Sequence, residues 1–465
     1  MLLKQALIKK IFRVRVFPFS IVSLMKAINR WLKLLKGFII LTIKQSVMKK
    51  ICLLFSVLML GLTACNKDFG TIEVTYTKAT AIYGDLEETR NVTLKTEAKE
   101  LSNPGKIFVS DNLLLIGEEG EGIHIMDNSD PANPENMYFL NIPGNREYYV
   151  QGSIIYAESY YDMVKIDLTN VQQPILESRA ELAFAEELKN DAGETLIGFD
   201  FEVVTESVND RGDFWNALTV DDVIFYDYAN SLIPRSAVPA SFAGNSNSGI
   251  GSVNRVTFFN DHVYVISNSI INVFSDEGTF EKANEVFMGN QMETIYPFQD
   301  KLFIGTRNSM EVLDVSDPAN PQRVSSFWHA TSCDPVYPTD EVAYVTLRTG
   351  DFSNCPGDIN ALIVLSIQEI TNPTELQEIE MLSPYGITLI DNKLYVGEGA
   401  NGLKIFDATN RENLTLETYD NSIQAYDVIA HPTRPDLLLI AGPEGLGQYE
   451  IEAGSGLGLL SWMNF

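Results

Sequence analysis

The sequence predicts an all-β fold, a β-propeller of four-stranded antiparallel blades, seven in number with eight left open as the alternative. Three observations carry this. The hexapeptide Ser-Asp-Pro-Ala-Asn-Pro occurs twice, at 129–134 and 316–321, each time just after an alternating apolar run that ends in aspartate. That run recurs as Ile123-His124-Ile125-Met126-Asp127, Met163-Val164-Lys165-Ile166-Asp167, Ile271-Asn272-Val273-Phe274-Ser275, Met310-Glu311-Val312-Leu313-Asp314, 361–366, Leu403-Lys404-Ile405-Phe406-Asp407 and 447–450. Its last residues, 127, 167, 275, 314, 366, 407 and 450, are 40, 108, 39, 52, 41 and 43 positions apart, so a unit of roughly forty residues repeats. Lastly, each run follows an apolar strand (113–116, 154–157, 263–266, 302–304, 342–345, 394–396, 437–440) and an earlier one before it, and leads through a Pro/Asn linker to a fourth such as 323–328. Period-2 alternation of β-branched and aromatic residues between turn formers reads as strands. Four strands in about forty residues make a blade, which cannot bury both faces without neighbours.

Taken in order, residues 1–64 hold 12 of the 34 Lys+Arg and none of the 62 Asp+Glu. Met48, Lys49 and Lys50 form a basic region, 51–62 is apolar, and Leu62-Thr63-Ala64-Cys65 follows. An apolar run this short does not span a bilayer, which takes about 20 residues. The segment 48–65 resembles a bacterial lipoprotein signal with its lipobox. The resemblance implies a signal peptide at 48–64, lipidation of Cys65, an outer-membrane lipoprotein facing the periplasm or the cell surface, and membrane contact through the lipid. Residues 1–47 then read as an upstream extension from an early start codon, or else as an amphipathic leader.

Residues 65–104 form a lead-in, alternating at Ile72-Glu73-Val74-Thr75-Tyr76, expected to lie along an edge strand and protect it. The propeller occupies 105–465, closed by a last strand over 457–463. The 108-residue gap leaves an insertion at 183–248, in which 223–234 resembles a decayed repeat, the source of the eight-blade alternative.

The repeats resemble the LVIVD-repeat family of bacterial and archaeal surface proteins. Here the motif survives as Val312-Leu313-Asp314 and Ile405-Phe406-Asp407, never as the full consensus. The resemblance implies a propeller in an extracytoplasmic setting and transfers no catalytic residue.

With the strands of a blade lettered a to d from inner to outer, antiparallel pairing puts the b–c loops and d-to-a connections on one face, here called the first, and the a–b and c–d turns on the second. Both hexapeptides fall on the second, where Asp and Pro act as turn formers. The first collects Gly117-Glu118-Glu119-Gly120-Glu121-Gly122, Gly397-Glu398-Gly399-Ala400-Asn401-Gly402, the long loop 348–358 and the insertion. Irregular loops on a rigid scaffold are where binding concentrates. Of the four cysteines, Cys333 and Cys355 remain in the folded part, Cys333 before the innermost strand of blade five and Cys355 in that blade's b–c loop. In an oxidising compartment they are expected to pair.

Chemistry is read sparingly. The sequence 397–402 satisfies G-x-G-x-x-G but lies between strands, without the helix that takes a pyrophosphate. Glu118, Glu119, Glu121 and Glu398, with Asp351 and Asp358, would form a Ca²⁺ site only if they converge; otherwise they are solvated charge. His124, His262, His329 and His431 fall in separate units, and there is no G-x-S-x-G, P-loop or C-x-x-C. Asp334 and Arg348 offer polar anchors near the predicted disulfide. Tyr385, Tyr426 and Asp427 stand where the innermost strands of blades six and seven begin, lining the channel mouth or wedging the blades apart.

Beyond residue 64 the chain has 22 basic against 62 acidic residues, a net charge of −40. That leaves no footprint for nucleic acid and favours cationic or metal-bridged partners, with a neutral glycan stacking on tyrosines as another fit. The expected role is a non-catalytic binding scaffold for a protein or glycan, without cofactor. An extracytoplasmic lyase or hydrolase with a polar site at the channel, and a structural member of an envelope complex, are the alternatives.

Overall fold

The structure, a computed structural model, describes residues 72–184, 187–208, 223–225, 254–267, 269–289, 292–306, 308–329, 335–349, 359–452, 454 and 456–465. It is a seven-bladed propeller of four-stranded antiparallel blades. The innermost strands are Pro104–Val109, Tyr148–Gln151, Val256–Phe259, Met292–Phe298, Val336–Pro338, Ile387–Ile390 and Asp427–Ala430, and successive blades touch through them. Every blade is one continuous segment, so the seventh meets the first by packing and not by strand exchange. Ile107, Val109, Leu114 and Ile116 pack on Leu437, Leu439, Ala441 and Leu446. The buried amides of Asn128 and Gln448 exchange hydrogen bonds of 3.0 and 2.7 Å across this seam.

Burial follows position in the blade. The second strand of blade five, Val342–Leu347, is buried at every residue, because a neighbouring blade covers each of its faces. The outer strands Glu281–Phe287 and Thr374–Glu380 alternate between exposed and half-buried, since their edge meets solvent. All seven outer ladders carry a register shift at the same place, a bulge that adds twist at the rim.

The repeat's terminal aspartate has a local cause. Asp127, Asp167, Asp314 and Asp407 each accept the backbone N–H two residues on, at 2.9, 2.6, 2.8 and 2.8 Å. This Asx turn starts the c–d connection. Both hexapeptides then close identically: Asn133 bonds Asp130, and Asn320 bonds Asp317, through backbone and side chain.

The lead-in and the insertion depart from expectation. Ile72–Gly84 does not line a blade; it pairs antiparallel with Thr195–Val208 of the insertion, and on its other side with Val223–Phe225. Of the segment 223–234, its described residues 223–225 therefore belong to this three-stranded ribbon and not to a blade, and 226–234 lie outside the described residues. A later part of the same lead-in, Thr93–Thr96, does lie along an edge, as a fifth strand on the outer edge of blade one. The ribbon's base packs on the first face of blade two, where Leu86 and Leu196 meet Tyr161. There the buried Asp162 accepts from Arg90, Arg179 and the Leu182 amide. Among the described residues no helix is long and apolar enough to cross a membrane.

Candidate functional site

The first face differs from the second in what its carboxylates bind. In blade one the glycine loop turns Glu118 inward, fully buried, where it accepts from Ser102 and the Asn103 amide and lies 2.9 Å from His124 Nε2. Burial opposes its ionisation, yet these hydrogen bonds outweigh that and hold its pKa below the usual value. Burial lowers the pKa of His124. Blade six repeats the device with a lysine: buried Glu398 accepts from the Leu382 amide at 2.7 Å and pairs with Lys404 at 3.2 Å. In both blades a carboxylate at the end of strand b ties down the segment entering the innermost strand.

The other predicted cation ligands are spread out. Glu119 is half-buried, and Glu121 is exposed and paired with Lys99. Among the described residues, no group of three or more His, Cys, Asp or Glu could hold a metal ion. His124 belongs to the Glu118 pair, while His262 and His431 bond to backbone of their own turns.

Three predicted binding residues do meet. The Tyr385 and Tyr426 rings lie 4.8 Å apart at 51°, and the Arg348 guanidinium sits 4.1 Å over Tyr385. All three are half-buried on the first face between blades five, six and seven. Gly399, at φ +58°, passes so close beneath Tyr385 that a Cβ there would come within 2.6 Å of the ring. Asp427, next to Tyr426, is buried, with Oδ1 accepting the Val428 amide. Cys65, Cys333, Asp334, Asp351, Cys355 and Asp358 lie outside the described residues. The neck of the loop holding Cys355 is pinned by Asn360, whose Oδ1 accepts from the Thr349 amide at 2.8 Å.

The polar centre at the axis was not foreseen. Lys106, 3% exposed on the innermost strand of blade one, reaches Glu147 at 3.2 Å and Asn254 Oδ1 at 2.7 Å, linking blades one, two and three. Burial lowers its pKa, against the attraction of Glu147 and Asp427. Glu158, wholly buried in blade two, accepts the Glu147 amide through Oε2, while its Oε1 has no hydrogen-bond partner. Burial pushes its pKa up to about 8, with Arg255 and Arg146 pulling the other way. A sequence signal existed: registered on the terminal aspartates, Glu158 occupies the place of Gly117, Gly305 and Gly397 in blades one, four and six.

Below this centre the axis is aromatic. Phe108 meets Tyr149 edge-on at 6.4 Å, and Tyr296 meets Tyr337 at 5.7 Å.

The LVIVD repeat family matches residues 301–328, three strands of blade four. No curated protein matches the chain. Among solved structures, Hsv2 of Kluyveromyces lactis is similar at 9% identity and TM-score 0.45, covering 77% of this chain and 97% of that one. The β-propeller domain of Cps50 (Swd1) from Myceliophteria thermophila is similar at 8% identity and TM-score 0.45, over 81% and 100%. A chain of a mitotic checkpoint complex is similar at 8% identity and TM-score 0.47, over 81% and 91%.

Proposed function

We propose that this protein is a cell-envelope lipoprotein, held in the outer membrane through Cys65, whose propeller binds a partner on its first face without catalysis. The observation that carries the reading is the stack of Arg348, Tyr385 and Tyr426 across blades five to seven. Aromatic rings with a polar tip and a stacked guanidinium offer large, rigid contact area at low entropic cost, as binding surfaces require. The ribbon base on blade two and Arg348 and Thr349, where the blade-five loop begins, stand on the same face. The c–d turns of the second face instead satisfy their own polar groups and offer no comparable platform.

Two measurements test this. Cys65→Ser should release the protein from membranes; a variant that still sediments and resists carbonate extraction removes the lipoprotein. With a partner recovered by pull-down from membranes of the source cell, shortening 349–354 or changing Tyr385→Ala should weaken capture at least tenfold. Replacing both hexapeptides with other turn sequences should leave it intact, and the reverse outcome moves the binding face.

A further inference from the structure

We propose that the axial mouth between blades two and three binds a carboxylate group, a reading that rests on the first face being the binding face. The argument begins with an imbalance of donors. Arg146 precedes the innermost strand of blade two and Arg255 that of blade three, and both act electrostatically on Glu158. Both are half-buried, and neither is in an ion pair among the described residues. Arg255 makes one long hydrogen bond, 3.4 Å to the Ile266 carbonyl. The nearby Glu147 is engaged by Lys106. In a protein this acidic, two arginines that act on one buried carboxyl group and yet make no direct ion pair among the described residues are unusual: Arg146 and Arg255 feel Glu158, and Arg146 also Glu119, only at a distance.

Glu158 adds the second, independent observation. Its buried Oε1 is unpartnered, and a buried polar atom without a partner costs about 1–3 kcal/mol. With a pKa of about 8 the group is protonated at neutral pH, so a buried O–H without an acceptor is held within electrostatic reach of two half-buried guanidinium groups. Such a set matches a planar monoanion, which takes a guanidinium bidentately and one further donor. A dianion fits less well, since Glu147 and Glu119 stand close by. The overall charge of −40 does not oppose this, because at 0.15 M salt charges beyond about 8 Å are largely screened.

Titration of the whole protein with sodium D-glucuronate in 0.15 M salt, followed by calorimetry, tests the site. Binding is expected at pH 6.5 and should weaken about tenfold by pH 9, as Glu158 ionises one unit above its pKa. Lys106 also faces Glu158 across Glu147 and titrates in the same direction, so Glu158→Gln separates the two. It keeps a donor, should hold the pH 6.5 affinity within threefold, and should lose the pH dependence. Arg146→Met and Arg255→Met, at an unchanged thermal midpoint, should each weaken binding at least tenfold. Absence of glucuronate binding at pH 6.5, wild-type affinity in both arginine variants, or inorganic phosphate binding as tightly would each overturn the site. None of these results bears on partner capture by the Arg348–Tyr385–Tyr426 stack, so the two readings fail separately.

Discussion

On the second face, Asp127, Asp167, Asp314 and Asp407 each bind an amide two residues away. On the first, Glu118 binds an amide 15 residues away, Glu398 one 16 away and Glu158 one 11 away, and all three are buried. The same functional group therefore serves local turns on one side and joins separate strands on the other. Removing a local, exposed acceptor lets water replace it. A buried acceptor has no such substitute, so the two faces should respond very differently to loss of a carboxylate.

The largest effect is expected at Glu118. Glu118→Ala leaves the buried His124 without its carboxylate and takes the shared acceptor from the exposed Ser102 and Asn103, and should destabilise by about 3 kcal/mol, read as a lowered thermal midpoint at pH 7. Glu121→Ala, three residues on and exposed, should change nothing measurable. The sign with pH is fixed: a carboxyl whose folded pKa is depressed stabilises above its unfolded value, near 4.5, and loses that contribution as pH falls through the folded pKa. The gap between wild type and variant should narrow below pH 4.5. Equal effects at 118 and 121 would break the comparison.

Next comes the proposed Cys333–Cys355 bridge, which would close a 22-residue loop on the first face and contribute roughly 3 kcal/mol in the chain-entropy model. Denatured but unreduced protein should leave both thiols unreactive toward a maleimide; labelling of both removes the staple.

Glu158→Gln sharpens the contrast from the opposite direction. A carboxyl with a raised folded pKa gives stability that is complete below its unfolded value, near 4.5, and is lost as pH rises to about 8. The amide cannot ionise, so the variant should be the more stable by about 2 kcal/mol at pH 8.5, once the cost of burying the amide itself is subtracted. Below pH 5 the advantage should vanish. A variant less stable at both pH values would mean that Glu158 is buried in its charged form.

Legibility followed the same division. The seven blades, their order and their faces were readable because the Asx turn at Asp127 or Asp314 and the alternation of each strand act within a few residues. Arg348, Tyr385 and Tyr426 were reachable because blade topology alone sends them to one face. Glu118 and Glu398 were misjudged as solvated charge, or as calcium ligands that would have to converge: the glycines flanking them read as loop, and nothing local tells that the carboxylate turns inward to Ser102 or Leu382. The lead-in strand pairs with a segment more than a hundred positions away, beyond any local pattern. Lys106, Arg255 and Glu158 meet only because three blades converge on one axis.

The smallest effect belongs to the second face. Asp314 is held at a pKa of about 2 by hydrogen bonds from the Ser316 hydroxyl and amide and by Lys301. It is also largely solvated, so that shift does not convert into stability. Asp314→Ala should cost about 1 kcal/mol, the net worth of one turn-forming hydrogen bond. Asp314→Ser should restore about half, because blade three already starts the same turn from a hydroxyl: Ser275 Oγ accepts the Glu277 amide at 3.3 Å. Thermal midpoints at pH 7 and at pH 2 check both claims. At pH 7 the order should be wild type, Ser, Ala. Near pH 2 the wild-type aspartate becomes protonated and its lead over Ala should shrink, whereas the Ser variant, having no ionisable group, should keep its own. A loss at Asp314 as large as that at Glu118 would show that the second-face turns are coupled to the blade interiors, and the two faces would no longer differ in kind.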